Sequence, residues 1–223
     1  MKKEILNGTP IPYDLSVDTL KEMISSPMMK DFALACEALA YKNEPEAYQI
    51  MKSYLHDKDK YRRLYILKTI FRHSEAVELV DDLEKAIASM DFLFIENGLL
   101  IVSEYSIKIS EALLISAVRK YCDQLYTAVG ALKTLEKSDG NFEAIMKLFT
   151  LCSKCAQKEI LGEILCNGYL PEKAYELFDL FADDDFGRIR LIGVKIGKRY
   201  GLDISKFLSD TDGHVRKAAK SKT

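Results

Sequence analysis

Asp184-Asp-Phe-Gly-Arg-Ile-Arg190 and Asp210-Thr-Asp-Gly-His-Val-Arg216 share one pattern. Each opens on Asp, closes on Arg six residues later, and leads into a helix-forming run. Asp57-Lys-Asp-Lys-Tyr-Arg-Arg63 repeats it nearer the front of the chain. In all three the Arg stands three residues before a packing position, at Ile66, Gly193 and Ala219. An Asp in an inter-helix turn can accept hydrogen bonds from the first free amides of the following helix. It can also pair with the Arg of its own or an adjacent turn. The fixed offset therefore predicts an internal Asp–Arg ladder of Asp57, Arg63, Asp184, Arg190, Asp210 and Arg216.

Working outward, glycines recur in step with these turns. Gly98, Gly130, Gly162 and Gly193 are separated by 32, 32 and 31 residues. A glycine inside a helix costs roughly 1 kcal/mol against alanine, so a regular series implies a shared packing reason, the close approach of a neighbouring helix. Ala35 and Ala219 supply a small residue at the same place near either end, and Ile66 breaks the series. Apolar residues recur at helical spacing from Ser16 onward, with helix starts expected near Val17, Glu44, Glu75, Ile109, Phe142, Pro171 and Ile204. A second helix follows each. Asn43-Glu-Pro-Glu46 has the form of a capping box. Ser138-Asp-Gly-Asn141 is expected as a loop, and Asn167-Gly168-Tyr-Leu-Pro171 as a helix stop followed by a start. Residues 1–15, with Asn7-Gly8, Pro10 and Pro12, are expected to form an irregular arm. Phe92 to Val102 taken alone is a hairpin pattern around Asn97-Gly98. The glycine register predicts a buried helix there instead.

The turn Asp, the Ile-Arg at 189–190, the Val-Arg at 215–216 and the period of about 32 residues resemble HEAT repeats, closest to the short HEAT-like units of bacterial and archaeal α-solenoids. The resemblance spans residues 16–223 and is strongest in the last two repeats. Asp91 and Asp123 keep the turn acid without the Arg, and the repeat around Cys155 lacks both. The resemblance implies an all-α, right-handed α-α superhelix of about six to seven helical hairpins, forming a single domain over residues 16–223.

Composition agrees with a helical array. The 223 residues include only 11 Gly and 5 Pro, too few turn-formers for an all-β sandwich. Apolar residues make 48%, enough to exclude disorder, and the net charge of -2 gives no global attraction to nucleic acid or anionic membrane. The charge is unevenly placed, because Gly187 to Thr223 carries ten Lys/Arg against three acids. Five cysteines in a chain of this length read as reduced thiols of a cytoplasmic protein. The N-terminus has no apolar signal region and no run is long enough to span a membrane.

Catalytic patterns are missing. The sequence has no G-x-S-x-G, P-loop or HExxH, and no catalytic, cofactor-binding or metal residue is expected. Cys152-Ser-Lys-Cys155 reads as structural, since no second CxxC or His pair completes a zinc set. Asp183-Asp-Asp185 reads as a cap for the following helix. HEAT-like alkylpurine DNA glycosylases are the enzyme class to weigh, but this chain has no Trp and none of their local pattern. HEAT-like phycobilin lyases likewise find no supporting residue.

Surface recognition remains. In solenoids the second helices line one long face. Counting the glycine register as zero, positions +2 and +6 hold Lys68 and Arg72, Leu100 and Glu104, Leu132 and Glu136, and Lys195 and Arg199. These two positions share a helix face. The face is then basic toward its ends and acidic-apolar in the middle, which suits a protein or peptide better than a phosphate backbone. The expected function is a non-catalytic binding scaffold. The alternative is a nucleic-acid-binding, glycosylase-like solenoid that uses the basic C-terminal third.

Overall fold

A computed structural model describes residues 5–6, 8–42, 44–124 and 126–221. Among these residues the chain is all-helical, apart from one two-stranded ribbon. It divides into two compact units, Met1–Leu113 and Leu114–Thr223.

The N-terminal unit begins with that ribbon. Strands β1 (Ile5–Leu6) and β2 (Thr9–Pro10) pair antiparallel, with Ile5 opposite Pro10 and Leu6 opposite Thr9. The arm expected to be irregular thus has a paired segment, and Gly8 turns it with φ of 78°. Helix α1 (Val17–Ile24) is capped by Ser16 Oγ, which accepts from the Thr19 amide, and it buries Val17, Leu20 and Ile24. It packs on α2 (Met29–Lys42). Helices α3 (Pro45–Ser53) and α4 (Lys60–Ile70) form the next pair. Pro45 occupies the first turn of α3, where a missing N–H is harmless; the expected capping residue Asn43 lies outside the described residues. A 3-10 segment (Ser74–Leu79) leads into α5 (Val80–Ala88), which packs on α6 (Phe92–Tyr105). Within this unit α2, α4 and α6 lie side by side.

Phe92 to Val102 is helical, as the glycine register predicted. Asp91 caps α6 through the Leu93 amide, and Ile95, Leu99 and Val102 are buried. A Cβ on Gly98 would lie 2.6 Å from Ile87 Cγ1 of α5. Tertiary contact therefore overrides the local β preference.

The unit boundary falls in the first turn of α7 (Glu111–Tyr121). The C-terminal unit continues with α8 (Tyr126–Ala131), α9 (Asp139–Leu151), α10 (Cys155–Tyr169), α11 (Ala174–Ala182), α12 (Gly187–Tyr200) and α13 (Gly213–Lys220). Here α8, α10, α12 and α13 follow one another side by side, while α9 packs on α10 and α11 on α12. Phe149, Leu161, Leu165, Phe181, Ile189 and Phe207 fill the core between them. Two local expectations shift. Ser138 is the N-cap of α9, accepting from Asn141, so the predicted loop is already the first helical turn. Helix α10 runs through Gly168 to Tyr169 instead of stopping at the glycine. No described helix is long and apolar enough to cross a membrane.

The three Asp–Arg turns share one geometry. Arg63 Nη1 donates to the Asp57 carbonyl at 2.6 Å, Arg190 Nη1 to the Asp184 carbonyl at 2.7 Å, and Arg216 Nη1 to the Asp210 carbonyl at 2.5 Å. Each also reaches the next carbonyl along, on Lys58, Asp185 and Thr211. The Arg therefore caps the turn's backbone. The first Asp side chain accepts from the amide two residues on, at Asp59, Phe186 and Asp212. Helix capping falls to the later acids Asp59, Asp91 and Asp212. Asp184 is accordingly a turn-former, and the cap expected at Asp183–Asp185 is replaced by Phe186, which makes no side-chain cap. Basic side chains of preceding hairpins reach these acids: Lys60 meets Asp91, Lys158 meets Asp184 and Arg190 meets Asp210.

Candidate functional site

Of the side chains predicted to form a binding face, Lys68, Leu100, Glu104, Lys195 and Arg199 sit on second helices. Lys68 is exposed on α4, and Arg72 is exposed in the turn just after the helix ends. Arg72 pairs with the Glu37 carboxylate of α2, and the Tyr65 hydroxyl donates to Glu37 Oε1 at 2.9 Å. Burial, reinforced by the Glu37 hydrogen bond, pushes the Tyr65 phenol well above its ordinary range. On α6, Leu100 and Glu104 are both exposed. Arg72 is thus tied to its neighbour, while Lys68, Leu100 and Glu104 face solvent.

Leu132 departs from expectation. It is 1% exposed and belongs to the core. The reason is local: α8 ends at Ala131 and the chain tightens into a 3-10 turn (Leu132–Thr134). The change of helical period removes the shared face that positions +2 and +6 would have on an α-helix. Glu136 lies beyond that turn, exposed in the following loop. Leu132 and Glu136 therefore do not form a continuation of the face.

Lys195 and Arg199 do come together. Both are exposed on α12, one turn apart, and they line a groove of about 300 Å³ between α12 and α10. Glu159 and Glu163 of α10 form the opposite wall, and Ile192 and Ile196 contribute apolar surface between the walls. The absent side chain of Gly162 lets the helices approach, since a Cβ there would meet Ile192 Cδ1 at 3.3 Å. The acids are partly engaged elsewhere, Glu159 with Arg188 at 3.6 Å and Glu163 with Lys133 at 3.8 Å. Cys166 also lines the groove, and burial pushes its thiol up to about 11, so it is neutral at ordinary pH. Sequence reading missed Glu159 and Glu163, which fall outside the two register positions considered. Their spacing of four on α10 was the available signal.

The two cysteines of Cys152-Ser-Lys-Cys155 sit on separate elements. Cys152 is buried at the C-cap of α9, and Cys155 opens α10. The Cys152 thiol donates to Asp123 Oδ1 at 3.3 Å. Cys122 lies beside them, and the potential ligand atoms of Cys122, Asp123 and Cys152 are all within 4.8 Å of one another.

No family model matches the chain, and no curated protein matches it either.

Proposed function

We propose that the chain is a non-catalytic, protein- or peptide-binding scaffold built as a HEAT-like, right-handed α-α superhelix of about six to seven hairpins. The side-by-side second helices within each compact unit support the array reading. The α10–α12 groove carries the functional one. Lys195 and Arg199 on one wall suit carboxylates, Glu159 and Glu163 on the other suit basic groups, and the apolar surface between them suits aliphatic side chains. A polypeptide offers all three chemistries. A phosphate backbone would face two carboxylates across the groove, where electrostatic binding wants an unbroken basic track. A reducing, cytoplasmic setting belongs to the same reading, given five unpaired cysteines.

The basic C-terminal third motivates the alternative, nucleic-acid binding. Much of its charge is committed internally. Arg190 is held by Asp210, Arg216 by backbone carbonyls and Lys206 by Asp183. The test compares the full chain with a Lys195→Glu/Arg199→Glu variant in a pull-down from native extract. A polypeptide retained by the first and lost by the second is expected. Equal retention by both, or a retained species that nuclease removes, would reject the scaffold reading.

A further inference from the structure

Cys122 follows the last residue of α7, and Cys152 follows the last residue of α9. They are thirty residues apart, about one repeat, and occupy equivalent ends of successive first helices. The fold brings their sulfurs together with the Asp123 carboxylate, all three ligand atoms within 4.8 Å of one another. We propose that Cys122, Asp123 and Cys152 bind a single thiophilic divalent cation of the zinc class.

The donor set, the spacing and the surroundings each support this site. Two sulfurs and one carboxylate oxygen form a soft, mixed set that selects zinc over magnesium or calcium. A tetrahedral zinc ion places such ligands about 3.5–3.8 Å apart; the Cys152 sulfur and Asp123 Oδ1 are 3.3 Å apart and no pair exceeds 4.8 Å, so shifts of about 1 Å or less suffice. The carboxylate is already oriented. Asp123 Oδ1 accepts from the Ser153 amide at 2.8 Å, and Oδ2 accepts from the Ser153 hydroxyl at 2.7 Å. Such outer contacts fix a ligand's direction before the ion arrives. Cys122 and Cys152 are buried, at 6% and 2% exposed, while Ser153 is at the surface and leaves the ion a way in.

The proton balance is simple. The Cys152 thiol now spends its proton on Asp123. Binding one dication releases one proton from each of the two thiols to solvent, leaving two thiolates and a carboxylate around the ion, with water in the fourth position. Cys155 opens the next helix and is not part of the set, so the CxxC spacing is incidental to the site.

The experiment uses the full chain, kept reduced, stripped with a chelator and titrated with Co²⁺ and then Zn²⁺. One Co²⁺ per chain is expected, with thiolate-to-cobalt charge-transfer and tetrahedral ligand-field bands that Zn²⁺ displaces. Cys122→Ser and Cys152→Ser each abolish the bands with helical circular dichroism intact, whereas Cys155→Ser and Cys166→Ser retain them. Ser153→Ala weakens Co²⁺ binding at least tenfold or so. Should a cysteine variant unfold, Asp123→Asn, which keeps the side-chain shape, carries the same expected loss. The proposal is overturned if the reduced chain shows no thiolate bands. It is equally overturned if the bands survive in Cys122→Ser and Cys152→Ser, or vanish in Cys155→Ser.

Discussion

Arg190 holds Asp210 through two parallel hydrogen bonds, Nε to Oδ2 and Nη2 to Oδ1, each 2.8 Å long. Its remaining nitrogen, Nη1, caps the carbonyls of Asp184 and Asp185 in its own turn. One guanidinium therefore ties the α11–α12 turn to the turn before α13. Both side chains are nearly buried, 13% and 8% exposed. Removing the Arg strands a carboxylate and two carbonyls with little water to replace it. Arg190→Ala is expected to cost about 2–3 kcal/mol, a fall in Tm of roughly 5–10 °C, with pull-down of any partner unchanged at a temperature where the variant is folded. Thermal melts read this directly, and an unchanged Tm would rule out the ladder.

The same pair sets an acid limit on stability. The Arg190 hydrogen bonds hold the Asp210 carboxyl below its ordinary range, despite the opposing effect of burial. The folded state then binds fewer protons than the unfolded state as pH drops. The stabilisation is fully present above the ordinary carboxylate range, near pH 4, and is lost as pH falls through the depressed folded value. Asp210→Asn is expected to lower Tm at neutral pH and to flatten the Tm–pH curve below about pH 4. A curve as steep as that of the unmutated chain would contradict the assignment.

Two glycines separate packing from propensity. A Cβ at Gly98 would press on Ile87 Cγ1 at 2.6 Å, so Gly98→Ala should destabilise by about 1–2 kcal/mol despite better helix propensity. Gly168 is helical with nothing within 4 Å of its missing Cβ. Gly168→Ala should instead stabilise, by roughly 0.5–1 kcal/mol. Urea midpoints for the two variants should move in opposite directions; a midpoint that rises for Gly98→Ala would show that the register glycine has no packing role.

Lys195 and Arg199 are exposed and form no ion pair among the described residues. Lys195→Glu/Arg199→Glu should leave stability within about 0.5 kcal/mol while removing partner capture. A large drop in Tm would place these side chains in the fold instead of on a binding face.

Much of the helical layout was legible in the sequence. Helix starts near Val17, Glu44, Glu75 and Ile204 fall within one residue of observed element starts, because caps, prolines and apolar spacing are local signals. The helix at Phe92–Tyr105 required the long-range glycine register to outweigh a local strand pattern. Of the candidate face, the exposure of Lys68, Lys195 and Arg199 followed from their place on a helix side. Leu132 did not follow, because a switch from α to 3-10 geometry at Ala131 has no clear sequence mark.

The sequence by itself determined that this chain is helical, where several of its elements begin, and that an Asp and an Arg recur six residues apart. These depend on periodicities along one stretch of backbone. Only the tertiary structure decided what lies across from each residue. It paired Arg190 with Asp210 of the following hairpin, set Glu159 and Glu163 opposite Lys195 and Arg199, and brought Cys122 to Cys152 instead of leaving Cys152 with Cys155. The physical reason is that a period fixes direction around a single helix, whereas the neighbour it meets depends on how separate helices pack.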